Sequence, residues 1–173
     1  MSKAIVSIAK NVGQVESIVD RLQTQASIPV SDISVLVPDT GEARDIGHVK
    51  ATKAPEGATT GVLAGGITGG VLGLLAGIGT LAIPGLGALV AAGPIMAALG
   101  GAAAGGATGG IVGALIGMGI PEFEAKAYED KLRDGNYLIA VHNVDGKQSA
   151  TVRDILKHEG AEHISSVGEA EAR

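Results

Sequence analysis

The sequence contains no cysteine, which excludes disulfide bonds, thiol catalysis and cysteine-ligated metal sites. Aromatic residues are nearly absent as well: the 173 residues include two tyrosines, one phenylalanine and no tryptophan. A soluble core of this size normally uses several large aromatic side chains. The 46% of hydrophobic residues must therefore serve a different kind of packing.

The chain also lacks an excess of basic residues, and its formal net charge is −5. Binding to nucleic acid needs a basic surface for the phosphates, and binding to single strands adds aromatic stacking. Nucleic acid is therefore excluded as the expected partner. The apolar stretch before Lys10 is too short for a secretory signal, so residues 1–56 are predicted to stay in the cytoplasm.

A third absence divides the chain, because the 65 residues between Glu56 and Glu122 carry no ionisable side chain. This block holds 21 of the 28 glycines. An apolar run of more than about 18 residues is a transmembrane candidate, and this one can hold two helices and a connection. The sequence predicts a discontinuous α/β domain of residues 1–56 and 122–173, interrupted by an apolar helical hairpin over residues 57–121.

Within this block a glycine-rich segment occurs twice: residues 65–79 and 105–119 are identical at nine of fifteen positions. Four-residue spacing aligns glycines in a row along a helix, where another backbone can approach closely. Two such rows are predicted to mediate helix packing and oligomerisation. They consist of Gly61, Gly65, Gly69, Gly73 and Gly77, and of Gly101, Gly105, Gly109, Gly113 and Gly117.

The surroundings of the glycine rows decide whether they form helices. In water each interior glycine costs a helix about 1 kcal/mol relative to alanine, whereas in hydrocarbon the backbone must bond to itself. This favours a hairpin that spans the cytoplasmic membrane, with both termini in the cytoplasm and the lipid bilayer as a partner. The apolar connection, residues 81–97, is predicted to form a short helical piece between Pro84 and Pro94, at the far interface or buried by other subunits.

The charged flanks carry ordinary α/β patterns. Helices are predicted after Asn11, over residues 122–134 and from Ser149 to Gly160, and strands over residues 3–9, 32–37, 137–142 and 163–167. Without the block and the helix that follows it, this order is the split β-α-β of a ferredoxin-like fold of the α+β class, with four strands in one antiparallel sheet. Both strand faces are apolar. Helices are expected to cover one face, while the other meets the inserted helices or a second copy.

The titratable residues give no catalytic pattern. His158 and His163 flank two glutamates, but Gly160 ends the helix between them, so helical geometry does not bring both rings to one metal ion. His142 and His48 are predicted to be exposed. The sequence has no Ser-His-Asp elbow, phosphate-binding loop or paired carboxylates. We therefore expect no catalytic residue, no metal and no cofactor, and we predict that the protein is not an enzyme.

Several stretches of the sequence resemble a known family. They are KAPEGATTGVLAGG, LAIPGLGALVAAGP, and GIPEFEAKAYEDKLRDGNYLIAVH followed by ILKHEGAEHI. They look like the bacterial general-stress proteins related to low-temperature-induced and heat-induced stress proteins, over nearly the whole chain. The resemblance implies an α/β domain interrupted by a glycine-zipper region, with membrane association. It implies no catalytic residue and no ligand.

Three functions are compatible with these patterns. The first is a non-catalytic, stress-related membrane protein that self-associates through its glycine rows. The second is a soluble self-assembling protein, a filament or a shell, in which the apolar helices of many copies cover one another. The third is a small-ligand sensor that uses the ferredoxin-like sheet face and has assembly as its output.

Overall fold

The computed structural model describes residues 3–38, 79–83, 87–92 and 110–168, which form a mixed α/β structure. A 3-10 turn, Val30–Asp32, leads into the second strand. The order of the regular elements is β1 (Lys3–Ala9), α1 (Val12–Gln25), β2 (Ile33–Pro38), β3 (Gly79–Ile83), β4 (Gly87–Ala92), α2 (Gly110–Gly117), α3 (Glu122–Arg133), β5 (Tyr137–Val144), α4 (Gly146–His158) and β6 (Glu162–Gly168).

The helix ends follow local signals in the sequence. The Asn11 side chain accepts a hydrogen bond from the Gln14 backbone N–H at 2.9 Å, as expected for the first residue before a helix. Gly135 and Gly160 follow α3 and α4 with φ of 86° and 74°, a left-handed conformation that glycine adopts without strain. These boundaries confirm the positions of the predicted helices to within a few residues.

The start of α4 differs from the prediction, since the helix begins at Gly146 and Ser149 lies inside it. The capping residue is Asp145, whose carboxylate accepts from the backbone N–H groups of Lys147 and Gln148 at 2.8 and 2.6 Å. The Gln148 side chain in turn accepts from the Asp145 backbone, which completes a capping box. Two satisfied donors at Asp145 favour the earlier start.

The strands form one sheet in the order β3-β4-β2-β5-β1-β6, and every neighbouring pair is antiparallel. Ser7 of β1 lies opposite Ile139 of β5, and Val35 of β2 lies opposite the same residue on the other side. Val6 faces Ser165 of β6. The prediction that four strands from the two flanks form one antiparallel sheet is therefore confirmed.

The sheet also contains two strands from the apolar block, which the sequence analysis did not predict. Residues Gly79–Ile83 and Gly87–Ala92 pair with each other, and Val37 of β2 lies opposite Val90. The predicted short helical piece between Pro84 and Pro94 is therefore wrong for residues 87–92, which form a strand. Because strand neighbours are about 5 Å apart, this part of the connection lies beside the α/β domain.

Each face of the sheet is covered by a pair of helices. One core lies under α1 and α4 and contains Ile18, Leu22 and Leu156 against Ile5 and Ile139. The second core lies under α2 and α3 on the opposite face. It contains Ala4, Val6, Ile8, Leu36, Ile111, Leu115, Ile120, Ala125, Tyr128, Leu132, Leu138, Ala140 and Val167. The second face thus meets α2, which belongs to the inserted block, together with α3. Of the two occupants expected for this face, the inserted helices and a second copy, the described structure shows an inserted helix.

Candidate functional site

Helix α2 is the described part of the second glycine row, and one of its sides is fixed in the core. Ile111 and Leu115, four residues apart, are 1% and 0% exposed and belong to the core between the sheet and α3. Side chains at this spacing share one side of a helix. They therefore set the rotation of α2 about its axis.

The end of α2 is held by backbone hydrogen bonds. The N–H groups of Met118 and Ile120 both donate to the Leu115 carbonyl, at 3.1 and 3.0 Å. Gly119 between them has φ of 93°, and a Cβ at this position would lie 3.0 Å from the backbone oxygen of Gly168. Only glycine fits this turn without displacing the end of β6. The turn therefore fixes the corner between α2 and α3.

The glycines of α2 lie on the side that faces away from the core. Residues two apart on a helix are about 200° apart, so Gly113 and Gly117 lie opposite Ile111 and Leu115. A Cβ added at Gly113 or Gly117 would meet no heavy atom within 4 Å. In the described part of the chain, the row is thus an open strip of backbone. A surface without side chains lets another backbone approach closely.

One large hydrophobic side chain of α2 and one of α3 are exposed. Ile116 on α2 and Phe123 on α3 are 42% and 84% exposed, and they are the exposed large hydrophobic side chains among the described residues. Every side chain of α2 is apolar or absent, since its sequence is GIVGALIG. We call this combination of Gly113, Gly117 and Ile116 the outer side of α2.

The remaining predicted packing residues, Gly61, Gly65, Gly69, Gly73, Gly77, Gly101, Gly105 and Gly109, lie outside the described residues. Of the two rows, the structure therefore brings together Gly113 and Gly117 alone. It places them one helical turn apart, as their spacing predicts.

A buried polar pair was missed by the sequence analysis. The Ser34 hydroxyl and His142 Nε2 lie 2.9 Å apart, across neighbouring strands β2 and β5. Ser34 is 0% and His142 is 6% exposed, so the prediction of an exposed His142 is wrong. A nucleophilic serine needs an open approach for its substrate, which this burial denies. The pair therefore joins two strands. The signal in the sequence was the spacing: Ser34 and His142 lie two residues from Leu36 and Ala140, and residues two apart lie on the same face of a strand.

The other described histidines lie at the surface. His158 Nδ1 lies 3.0 Å from the Asp154 carbonyl oxygen in the last turn of α4, and His163 is an exposed residue of β6 with φ of 51°. Within the described residues, no group of three or more His, Asp or Glu side chains could hold a metal ion. His48 lies outside them.

Tyr128 connects α3 to two strands. Its hydroxyl proton is shared between the backbone oxygens of Val6, at 3.3 Å, and His163. Burial raises the pKa of this phenol above its usual value, so it stays protonated and continues to donate. Nearby, the Ser165 hydroxyl donates to Glu124 at 2.5 Å. These bonds attach α3 to β1 and β6.

None of the helices in the described ranges is both long enough and apolar enough to cross a membrane. Comparison with protein-family models, with curated protein sequences and with solved structures finds no match for this chain.

Proposed function

We propose that this is a non-catalytic protein that self-associates through its glycine rows. The observation that supports the proposal is the outer side of α2. The helix is anchored by Ile111 and Leu115, while Gly113 and Gly117 open away from the core with nothing within 4 Å of an added Cβ. A rigid helix that presents a bare backbone strip suits close helix–helix packing.

The position of β3 and β4 bears on where this association occurs. Because β4 pairs with β2, the middle of the apolar block lies against the α/β domain. This favours an assembly in which the apolar segments of several copies cover one another in the cytoplasm. The cytoplasmic membrane is the second candidate, with both termini in the cytoplasm. It is favoured by the 65 consecutive residues without an ionisable side chain.

We assign the four flank strands to a ferredoxin-like arrangement, supported by the spatial order β2-β5-β1-β6 with antiparallel neighbours. A role in general stress follows from the resemblance of the sequence to bacterial general-stress proteins. The ligand-sensor hypothesis needs a free sheet face. In the described structure that face is covered by Leu115, Tyr128 and Leu132, so the sensor is the weakest of the three functions.

Substitution of the open glycines tests the proposal. We expect Gly113→Leu and Gly117→Leu to lower the molecular mass of the assembly, measured by light scattering in detergent-free buffer and again in mild detergent. The new side chain blocks the approach of another backbone, and overpacking costs about 1–3 kcal/mol per contact. Since a Cβ at either position would meet no heavy atom within 4 Å, circular dichroism should show an unchanged fold.

Gly13→Leu is the matched control, because Gly13 is an exposed glycine of α1 and its added Cβ would meet only the Asn11 side chain, at 3.5 Å. It should leave the mass unchanged. An unchanged mass for both Gly113→Leu and Gly117→Leu would remove the glycine rows from the proposal. Fractionation with carbonate extraction separates the two locations, since recovery in the soluble fraction supports the cytoplasmic assembly and retention in the pellet supports the membrane.

A further inference from the structure

The two outermost strands described in the sheet differ in how their free edges are built. Strand β6 is irregular: its pairing with β1 shifts register between Val6 and Ile8, and His163 has φ of 51°. Glu162 adds a charge, and its carboxylate lies 2.6 Å from Lys10 Nζ. Bulges and charges at an edge discourage the addition of another strand.

Strand β3 carries none of these features. Its five residues pair with β4 without a register shift, from Gly79 opposite Ala91 to Ile83 opposite Gly87. The sequence GTLAI contains no charged residue and no proline. A regular, uncharged outer strand is an open template for pairing with another strand.

Burial of β3 in an assembly would require hydrogen-bond partners along its outer edge. Half of the N–H and C=O groups of a strand point away from its one neighbour. Each such group, if it is removed from water without a partner, costs about 1–3 kcal/mol. The strand lies inside the 65-residue block without ionisable side chains. In an assembly that buries this block, the outer groups of β3 need hydrogen-bond partners.

We propose that β3 pairs antiparallel with β3 of a second copy, so that two sheets join in the order β4-β3-β3-β4. The inference rests on the proposed self-association and names a second contact within it. A second copy is the fitting occupant because an uncharged strand opposes no like charge when it meets itself. Paired through β6, two copies would instead bring together two irregular edges that each carry Glu162.

Strand geometry predicts the register of this contact. Only every second residue of β3 directs its backbone N–H and C=O groups to the outer edge. In an antiparallel pair, two opposed residues either both direct these groups toward each other or both direct them away. Residues that face each other across the two-fold axis are therefore both odd-numbered or both even-numbered. It follows that, wherever residues of one β3 face residues of the other, one residue of Gly79–Ile83 lies opposite itself.

The test is a scan of single cysteines in the full chain, which has none of its own. Each of the five positions from Gly79 to Ile83 is replaced in turn, and the protein is oxidised mildly and analysed without reductant. We expect a disulfide-linked dimer at the self-opposed position and almost none at its two neighbours. Opposed strand residues are close enough for a disulfide, whereas the next residues along are not. Ser166→Cys, at an exposed position of β6, is the control and should give no dimer.

The same scan in Gly113→Leu protein distinguishes this contact from the glycine rows. A dimer that persists while the assembly loses mass supports both contacts. Assembly of wild-type mass without a dimer at any of the five positions overturns β3 pairing and leaves the glycine rows in place. Equal dimer at all five positions indicates random collision and overturns it too. A position-specific dimer with no mass change in Gly113→Leu protein supports β3 pairing and removes the glycine rows.

Discussion

The helices on the two faces of the sheet are built differently. The outward sides of α1 and α4 are polar and bonded to each other: Arg21 lies 2.6 Å from the Glu159 carboxylate, and the Gln14 amide donates to the Glu159 carbonyl oxygen at 2.6 Å. On the other face, α2 is apolar all round. A helix suited to water needs a polar side, and α1 and α4 have one while α2 does not.

This difference separates the residues that stabilise the fold from those available for the proposed association. Both helix pairs bury a regular apolar side in the sheet, so both stabilise the domain. Among the described helices, only α2 has a second apolar side, formed by Gly113, Gly117 and Ile116. Burial in the core therefore does not explain the apolar outer side of α2, whereas the proposed self-association would. Changes on the two sides of this helix should then have separable effects.

The largest expected effect is on the buried side of α2. Leu115 and its counterpart on the other face, Leu156 of α4, are both 0% exposed. We expect Leu115→Ala and Leu156→Ala each to lower the free energy of unfolding by about 2–5 kcal/mol, because each leaves a cavity. Urea unfolding followed by circular dichroism measures both. If Leu115→Ala cost far less than Leu156→Ala, the packing of α2 on the sheet would not be part of the stable domain.

A smaller effect is expected at the hydroxyl that attaches α3 to the sheet. Tyr128→Phe keeps the buried ring and removes the proton shared by Val6 O and His163 O. We expect the free energy of unfolding to fall by about 1–3 kcal/mol, since buried carbonyl groups lose a donor. Hydrogen exchange should rise most in β6. Phe123→Ala, at an exposed aromatic position of the same helix, should leave stability almost unchanged. Equal stability of Tyr128→Phe and wild type would mean that α3 is held by its apolar contacts alone.

On the opposite face, the capping box at α4 predicts a cost of about 1 kcal/mol for Asp145→Ala. The two backbone donors of Lys147 and Gln148 lose their acceptor. Ser149→Ala, at the position predicted from sequence to cap this helix, should have little effect on the midpoint of thermal unfolding. The opposite ranking of the two variants would restore Ser149 as the start of the helix.

The smallest effect is expected at Glu16 of α1. Burial raises the pKa of its carboxyl above the usual value, and in the described structure one carboxylate oxygen is buried without a hydrogen-bond partner. The folded state therefore binds this proton more tightly than the unfolded state does, and ionisation at higher pH destabilises it. We expect Glu16→Gln to raise the thermal midpoint slightly at pH 7. At pH values well below 4.5, where the carboxyl is protonated in both states, the gain should disappear. A gain that does not depend on pH would come from a source other than this charge.

The secondary structure of the flanks was predicted well because the sequence signals for their helices and strands are local. The Asn11 cap, the glycines after α3 and α4, and the alternating strand residues each depend on neighbours in the chain. Strands β3 and β4 were missed because periodicity cannot distinguish a short apolar strand from a buried helical segment. The overlooked signal was Pro84-Gly85 between two short apolar runs, a pattern typical of a hairpin turn.

The candidate site was predictable in part. The four-residue spacing of Gly113 and Gly117 indicated a shared helix side, and α2 confirms it for these two residues. Their orientation was not predictable, since it depends on where Ile111 and Leu115 meet the sheet. The burial of Ser34 and His142 likewise depends on contacts between residues that are distant in sequence.

The position of β1 between β5 and β6 determines when this part of the sheet can form. Its two sheet neighbours, β5 and β6, both come from the far end of the chain. At synthesis rates of roughly 5–20 residues per second, β1 waits on the order of 10 s for β5 to follow it from the ribosome. The whole uncharged block emerges during that interval, before the sheet exists to shelter any of it. Newly made chains are therefore exposed to mispairing with one another until β5 and β6 have emerged.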